Sequence, residues 1–320
     1  MSLIVRAPSQ SIAEAEAKFR TYSNYFSHIR RYIRNKYGKS ILSGIQTAFA
    51  EAKDGTNCGT RHRDVTNDRL RKILFNSWNS HVVANCSFEL EETMLPVVIQ
   101  WMPIQYYYSI YFAAAALAYG YHGRVAENHQ SVLNTLNAYA RSKKTFVAPW
   151  NFQYDGSRKP PFVNFPAGFV SSKISSLSLI EDPLDSMAMF LRTTWKDRCN
   201  DRWDEMSKAQ KSARRKQGKL KGDIQVTPVS LFDCFFRLRK WVNYAEAEAM
   251  LTGPTSETDV ESFAQDLKVV HAVMVHVLEL HLVEMFGLST LTPIGRDYKK
   301  TVGSRVDLRN LKSRVILNQS

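Results

Sequence analysis

From Thr93 to Gly123 the chain carries no Lys, Arg, Asp or Glu, and residues 106–123 within this run read YYYSIYFAAAALAYGYHG. An uncharged run longer than roughly 20 residues is long enough to span a bilayer. It is equally suited to the centre of a helical core or to an active site. Pro96, Pro103, Gln100 and Gln105 weigh against a span, as do Tyr106, Tyr107, Tyr108 and Tyr111, which would sit near its middle. Tyr favours the membrane–water interface instead. The expectation is a buried helix with no membrane role: its Ala run lets a neighbouring helix approach closely, and its Tyr and Phe side chains fill the volume between. The phenolic hydroxyls need partners, which places several of them at a polar cleft or interface.

Apolar periodicity organises the rest. Ser11 and Glu14 have capping-box spacing. Ile12, Ala15, Phe19, Tyr22, Phe26, Ile29 and Ile33 then recur at steps of three and four, one face of a long helix reaching Tyr37. Residues 54–69 read as loop, followed by a helix through Leu70, Leu74 and Trp78. A further helix is expected to start near Asn128, with Val132, Leu133, Leu136 and Tyr139 as its stripe. Residues 148–180 are rich in Pro, Gly and aromatics, and FVSSKISSLSLI predicts a short strand pair. Leu231, Phe235, Leu238, Val242 and Ala249 form one face of another helix. Thr258 and Glu261 cap the last long one, which ends at Gly287. That helix is apolar on opposite sides (Phe263, Leu267, Val270, Met274 and Val277 against Val269, Val273, Leu280 and Val283), so it is central or seals a subunit interface.

The net charge of +13 favours a polyanionic partner. Two segments concentrate it. Arg30, Arg31, Arg34, Lys36 and Lys39 lie at the end of the first helix with no acidic neighbour in sequence. They suit the helix dipole as well as they suit phosphate. Residues 192–222 hold eleven basic and four acidic residues, and SKAQKSARRKQGKLKG, with Arg214, Arg215, Lys216 and Lys219, reads as a solvated arm or mobile loop. Cys58, Cys86, Cys199 and Cys234 form no C-x-x-C pair, the pattern of reduced thiols in a cytoplasmic protein. His271, His276 and His281 recur every five residues and spiral around their helix, so no metal and no cofactor is expected; His281 is read as a buried histidine. GKS at 38–40 lacks the first glycine of a phosphate loop, and no H-E-x-x-H, G-x-G-x-x-G or G-x-S-x-G occurs.

The pattern of Tyr107, Tyr108, Leu117, Gly120 and His129 in YYYSIYFAAAALAYGYHGRVAENHQSVLNTL resembles the HEPN superfamily. LRKWVNY at 238–244 is similar to that family's Arg-centred motif, with Val242 for Ala and Asn243 for Asp. YaaC-like proteins have a similar layout. The resemblance covers roughly 93–144 and 231–286. It implies a mainly α, antiparallel helical bundle with 1–90 as an N-terminal helical extension, 91–145 and 231–287 as its two halves, 146–230 as a Pro/Gly-rich and basic insertion, and 288–320 as a basic tail. It further implies a homodimer that engages RNA, a toxin or phage-defence setting, and a protein partner such as an antitoxin or defence-complex subunit.

Active members of that family cleave RNA without metal: the ribose 2′-OH attacks the adjacent phosphate, His manages protons and Arg binds the phosphate. Arg239 takes the Arg position, with Asn243 one turn on. Tyr244 stands where the family has His, and a phenol of pKa near 10 is a poor base at pH 7. Arg124 and His129 form a literal R-x4-H, and a composite site with His129 facing Arg239 across the Tyr-rich cleft is one way to restore a base. The alternatives are a catalytically silent scaffold for a protein or nucleic acid, and a basic helical DNA-binding protein of another family.

Overall fold

The computed structural model describes residues 12–53, 62–88, 98–125, 128–142, 146–156, 159–171, 180–218, 224–242, 250, 253–302 and 314–320. These residues are mainly helical. In chain order the helices are α1 (Ile12–Tyr37), α2 (Ile41–Lys53), α3 (Asn67–Phe88), α4 (Met102–His122), α5 (His129–Ser142), α6 (Pro183–Glu205), α7 (Lys208–Lys216), α8 (Asp233–Lys240), α9 (Glu257–Phe286), α10 (Leu288–Val302) and α11 (Val315–Gln319). Three two-residue strands form a small antiparallel sheet in the order β2-β1-β3: β1 (Gln153–Tyr154), β2 (Phe162–Val163) and β3 (Val229–Ser230). Gln153 pairs with Val163 on one side and Ser230 on the other. Most of the expected 169–180 strand pair, residues 172–179, lies outside the described residues.

The uncharged segment forms α4. Pro103 sits in its first turn, where its missing N–H costs nothing. Gly123 ends it in the left-handed conformation, φ 69°, donating its N–H to Tyr119 O at 2.8 Å. Ala113, Ala114, Ala115 and Ala116 are all buried. α4 packs against α3 on one flank and α9 on another. At Gly120, an added Cβ would lie 2.2 Å from Met285 Sδ and 2.5 Å from Phe286 Cζ of α9. Gly120→Ala is therefore expected to cost about 1–3 kcal/mol by overpacking, against a helix-propensity gain of about 1 kcal/mol. A urea midpoint equal to or above wild type would show that the Met285 and Phe286 side chains yield without strain.

The helix most like a membrane span by length and hydropathy is α9, and 72% of its most apolar window is buried inside the protein. It is the central element. Phe263, Leu267, Val270, Met274 and Val277 are fully buried, and Val273 on the opposite side is buried too. α1 lays its stripe on α9 and α8: Phe19 meets Phe263 edge-on at 5.2 Å, Phe26 meets Phe235 at 5.0 Å, and Tyr22 stacks on Trp241 at 4.5 Å. Each such aromatic pair contributes about 0.5–1.5 kcal/mol beyond area burial. Residues of 1–90, such as Phe26 and Trp78, share one continuous core with Trp150, Phe152 and Phe190 of the 146–230 segment and with Ile316 near the C-terminus.

Two expectations are corrected. The cap of α9 is Ser256, whose side chain accepts from Asp259 N at 3.2 Å, so the helix starts two residues before the Thr258/Glu261 spacing implied. Within SKAQKSARRKQGKLKG, Lys208–Lys216 form a solvated helix, α7, and not a mobile loop. Ser207 and Gln210 cap it reciprocally, with Ser207 N donating to Gln210 Oε1 at 2.9 Å. None of its residues is buried, so its helicity rests on the cap and on local contacts.

Candidate functional site

Three helices bring His129, Arg239 and the tyrosines of α4 together. α4 presents Tyr107 and Tyr111 one turn apart, their rings stacked at 5.9 Å, with Tyr108 beside them. His129 opens α5, whose start is fixed by Asn128: its Oδ1 accepts from Ser131 N at 2.8 Å, as the sequence implied. The Tyr107 hydroxyl and His129 Nδ1 are hydrogen-bonded at 2.6 Å, and the imidazole lies 4.4 Å from the Tyr111 ring centroid. Arg239, in the last turn of α8, places its guanidinium 5.1 Å from the Tyr107 ring centroid and 5.4 Å from that of Tyr108. Its Nη2 also donates to the Tyr108 hydroxyl at 3.3 Å. The residue is only 8% exposed, while His129, Tyr108, Tyr111, Phe112 and Phe236 are half-buried around it.

Burial, then the charge of Arg239, holds His129 below the ordinary imidazole pKa. It is a neutral imidazole at pH 7, able to take a proton. Burial pushes the Tyr107 hydroxyl far up, with Arg239 pulling the other way, so Tyr107 stays protonated. The site thus combines a neutral acid–base group, a fixed guanidinium and several partly open aromatic faces. A guanidinium of this kind matches phosphate oxygens, and the faces can stack on bases.

A buried polar cluster fixes α8 behind this surface. Asp233, in its first turn, is fully buried and ion-paired with Arg198 of α6. Its Oδ2 accepts from Ser230 N at 2.9 Å and from Asn137 Nδ2 of α5 at 3.2 Å. Asp233 thereby ties α5, α6 and β3 to the helix that carries Arg239.

Searches against protein-family models, curated proteins and solved structures found no match to this chain.

The other expected site residues are placed as follows. Asn243 and Tyr244 lie outside the described residues, as does Lys219. Arg124 is exposed and lines a pocket with Asn128 and Ser131 at the start of α5. Arg30 is ion-paired with Asp266 of α9 at 2.7 Å, an acidic neighbour distant in sequence. Arg31 donates to Glu181 O at 3.2 Å, and Arg34 is exposed. On α7, Arg215 lies 5.7 Å from the Trp203 ring centroid, with Arg215 and Lys216 exposed and Arg214 half-buried. Among the described residues no group of His, Cys, Asp or Glu converges as a metal site. His271, His276 and His281 are all buried, and His281 stacks on Phe146 at 3.9 Å.

The sequence reading missed a second polar centre. Arg314, from the basic tail, is fully buried. Its Nε donates to His81 Nδ1 at 2.8 Å, Nη1 to Glu279 Oε1 at 3.0 Å, and Nη2 to Ser77 O at 3.2 Å and to Ser109 Oγ. Glu279 also accepts from Trp78 Nε1 and Ile316 N, each at 2.9 Å. His271 bonds Ser109 Oγ at 3.1 Å, and burial, reinforced by the Arg314 charge, holds His81 and His271 well below the usual imidazole range. The available signal was Glu279 itself, a carboxylate in the middle of an apolar helix that needs a cation to be buried.

Proposed function

We propose that this chain is an RNA-engaging, HEPN-like protein, and that His129 and Arg239 form a composite centre for metal-independent phosphodiester cleavage. The observation that carries this reading is the pairing of His129 and Arg239 across Tyr107 and Tyr108, with His129 held neutral. In this reaction His129 takes the proton of a ribose 2′-OH as that oxygen bonds to the neighbouring phosphorus. Arg239 balances the charge on the phosphate oxygens. The P–O bond to the next nucleotide's 5′-oxygen breaks and that oxygen takes a proton, leaving a cyclic phosphate and a 5′-OH. His129 substitutes for the histidine that the Arg239 segment lacks. A homodimer and a protein partner that masks the centre belong to the same proposal.

A scaffold reading is favoured by one observation: Arg239 is largely buried and already engaged by two tyrosines. In that reading the guanidinium holds α4 to α8, and the aromatic surface binds RNA or a protein without chemistry. Incubating purified protein with labelled RNA in EDTA separates the two. Wild type is expected to cleave and Arg239→Ala to lose at least 100-fold, in the range found when a charge-stabilising donor is removed. Absence of cleavage in both, with RNA still bound, would replace the enzyme by the scaffold.

A further inference from the structure

A groove of about 530 Å³ opens along the last turns of α1, away from the acid–base centre in sequence and built from different elements. Arg30, Arg31, Arg34 and Lys39 line it, against a single carboxylate, Asp266. None of its lining residues is aromatic, so it presents no aromatic face to a base. Arg30 and Arg34 are one turn apart, about 6 Å along the axis. Gly38, at φ 73°, then stops α1 and turns the chain so that Lys39 closes the same row.

Two of the cations are held in place. Asp266 is 5% exposed and grips Arg30 Nη1 at 2.7 Å, leaving the other guanidinium N–H groups for a ligand. Arg31 is tied at 3.2 Å to the Glu181 carbonyl, which fixes its position without neutralising it. Burial pushes the Asp266 carboxyl up from its ordinary value, and Arg30 offsets this in part. The helix dipole would account for cations at the end of α1. It does not account for a partner helix supplying a buried carboxylate to orient one of them.

We infer that this groove is a subsite for the sugar–phosphate backbone of single-stranded RNA, with successive phosphates seated along Arg30, Arg34 and Lys39. The inference rests on the RNA reading above and adds where the strand lies and what is read. A groove of this size, typical of small-molecule pockets, has room for one strand's backbone. Contacts made to phosphate alone position the strand without specifying its sequence.

The test measures binding of a labelled oligouridylate across a salt series, with inorganic triphosphate as a free-anion competitor. Wild type is expected to bind with a steep salt dependence. Arg34→Gln/Lys39→Gln should weaken binding and flatten the slope of log K against log salt by about 0.7 for each cation removed. Asp266→Asn keeps an acceptor for Arg30 and removes the one acidic group among the described residues lining the groove, so it should tighten binding severalfold. That gain cannot come from a misfolded variant. Wild-type affinity and slope in the double variant, with normal binding by the parent protein, would overturn the groove and leave the RNA reading standing. A parent protein with no affinity for the oligomer would overturn both. Triphosphate binding that responds to these substitutions while oligomer binding does not would overturn the strand assignment in favour of a free phosphorylated ligand.

Discussion

Arg314→Met is expected to cost about 3–5 kcal/mol, the range for removing one partner of a buried ion pair. The guanidinium donates four hydrogen bonds, to His81, Glu279, Ser77 and Ser109, with no exposure to water. Met fills much of the volume but supplies no donor. Glu279 would then be a fully buried carboxyl group without its cation, held only by Trp78 Nε1 and Ile316 N. A loss of that size is a large part of the roughly 5–15 kcal/mol that holds a typical domain together. Adding Glu279→Gln removes the carboxylate charge and keeps an acceptor for one of the two N–H groups, which bond different carboxylate oxygens. The double variant should therefore be more stable than Arg314→Met alone, a coupling that a double-mutant cycle in urea measures directly. If Arg314→Met changes the unfolding free energy by less than about 1 kcal/mol, the network does not hold the C-terminal segment to the core.

The second large effect falls on His129. His129→Asn is expected to lower RNA cleavage by about 10²–10⁴-fold, the contribution of a positioned acid–base group. The rate should rise with pH through a pKa below 6.5 and level off above it, because the protonated imidazole cannot accept the 2′-OH proton. The direction of the bond to Tyr107 goes with the tautomer. With Nδ1–H donating to the Tyr107 oxygen, Nε2 carries the lone pair. With Tyr107 donating to Nδ1, the proton sits on Nε2, the form suited to returning it to a leaving oxygen. An NMR titration checks the electrostatics without any turnover. Arg239→Gln should raise the His129 pKa, because one of its two depressing causes is removed while burial remains. An unmoved pKa would mean that the two residues do not share a field, and the composite centre would fall with it.

Much of the fold was legible because it rests on periodicity over many turns. The α1 stripe, the buried character of α4 and the all-round apolarity of α9 each repeat often enough to exceed chance. The tiny sheet was not legible, since two residues cannot display alternation. α7 lacked an apolar stripe, and its only local sign was the Ser207/Gln210 cap. Arg314 stands among Lys and Arg residues of ordinary appearance in the tail, and nothing local separates it from them. Its partner Glu279 was the informative residue. At the candidate site, the juxtaposition of His129 and Arg239 was weighed on the family resemblance, whereas the Asp233 cluster that positions α8 was invisible: Asn137, Arg198 and the Ser230–Asp233 turn come from three separated segments.

The central position of α9 also bears on how the chain is made. The Arg30–Asp266 pair joins residues 236 positions apart, and the Arg314–His81 bond joins residues 233 apart. At roughly 5–20 residues per second of synthesis, the apolar face of α1 waits about 12–47 seconds for the helix that covers it. The early helices must pass that interval with their greasy stripes unpaired or borrowed by a chaperone. Closure of the core is consequently a late event with long loops to form, slow by topology. Shortened versions that end before α9 should be recovered as aggregates, whatever their local helical propensity.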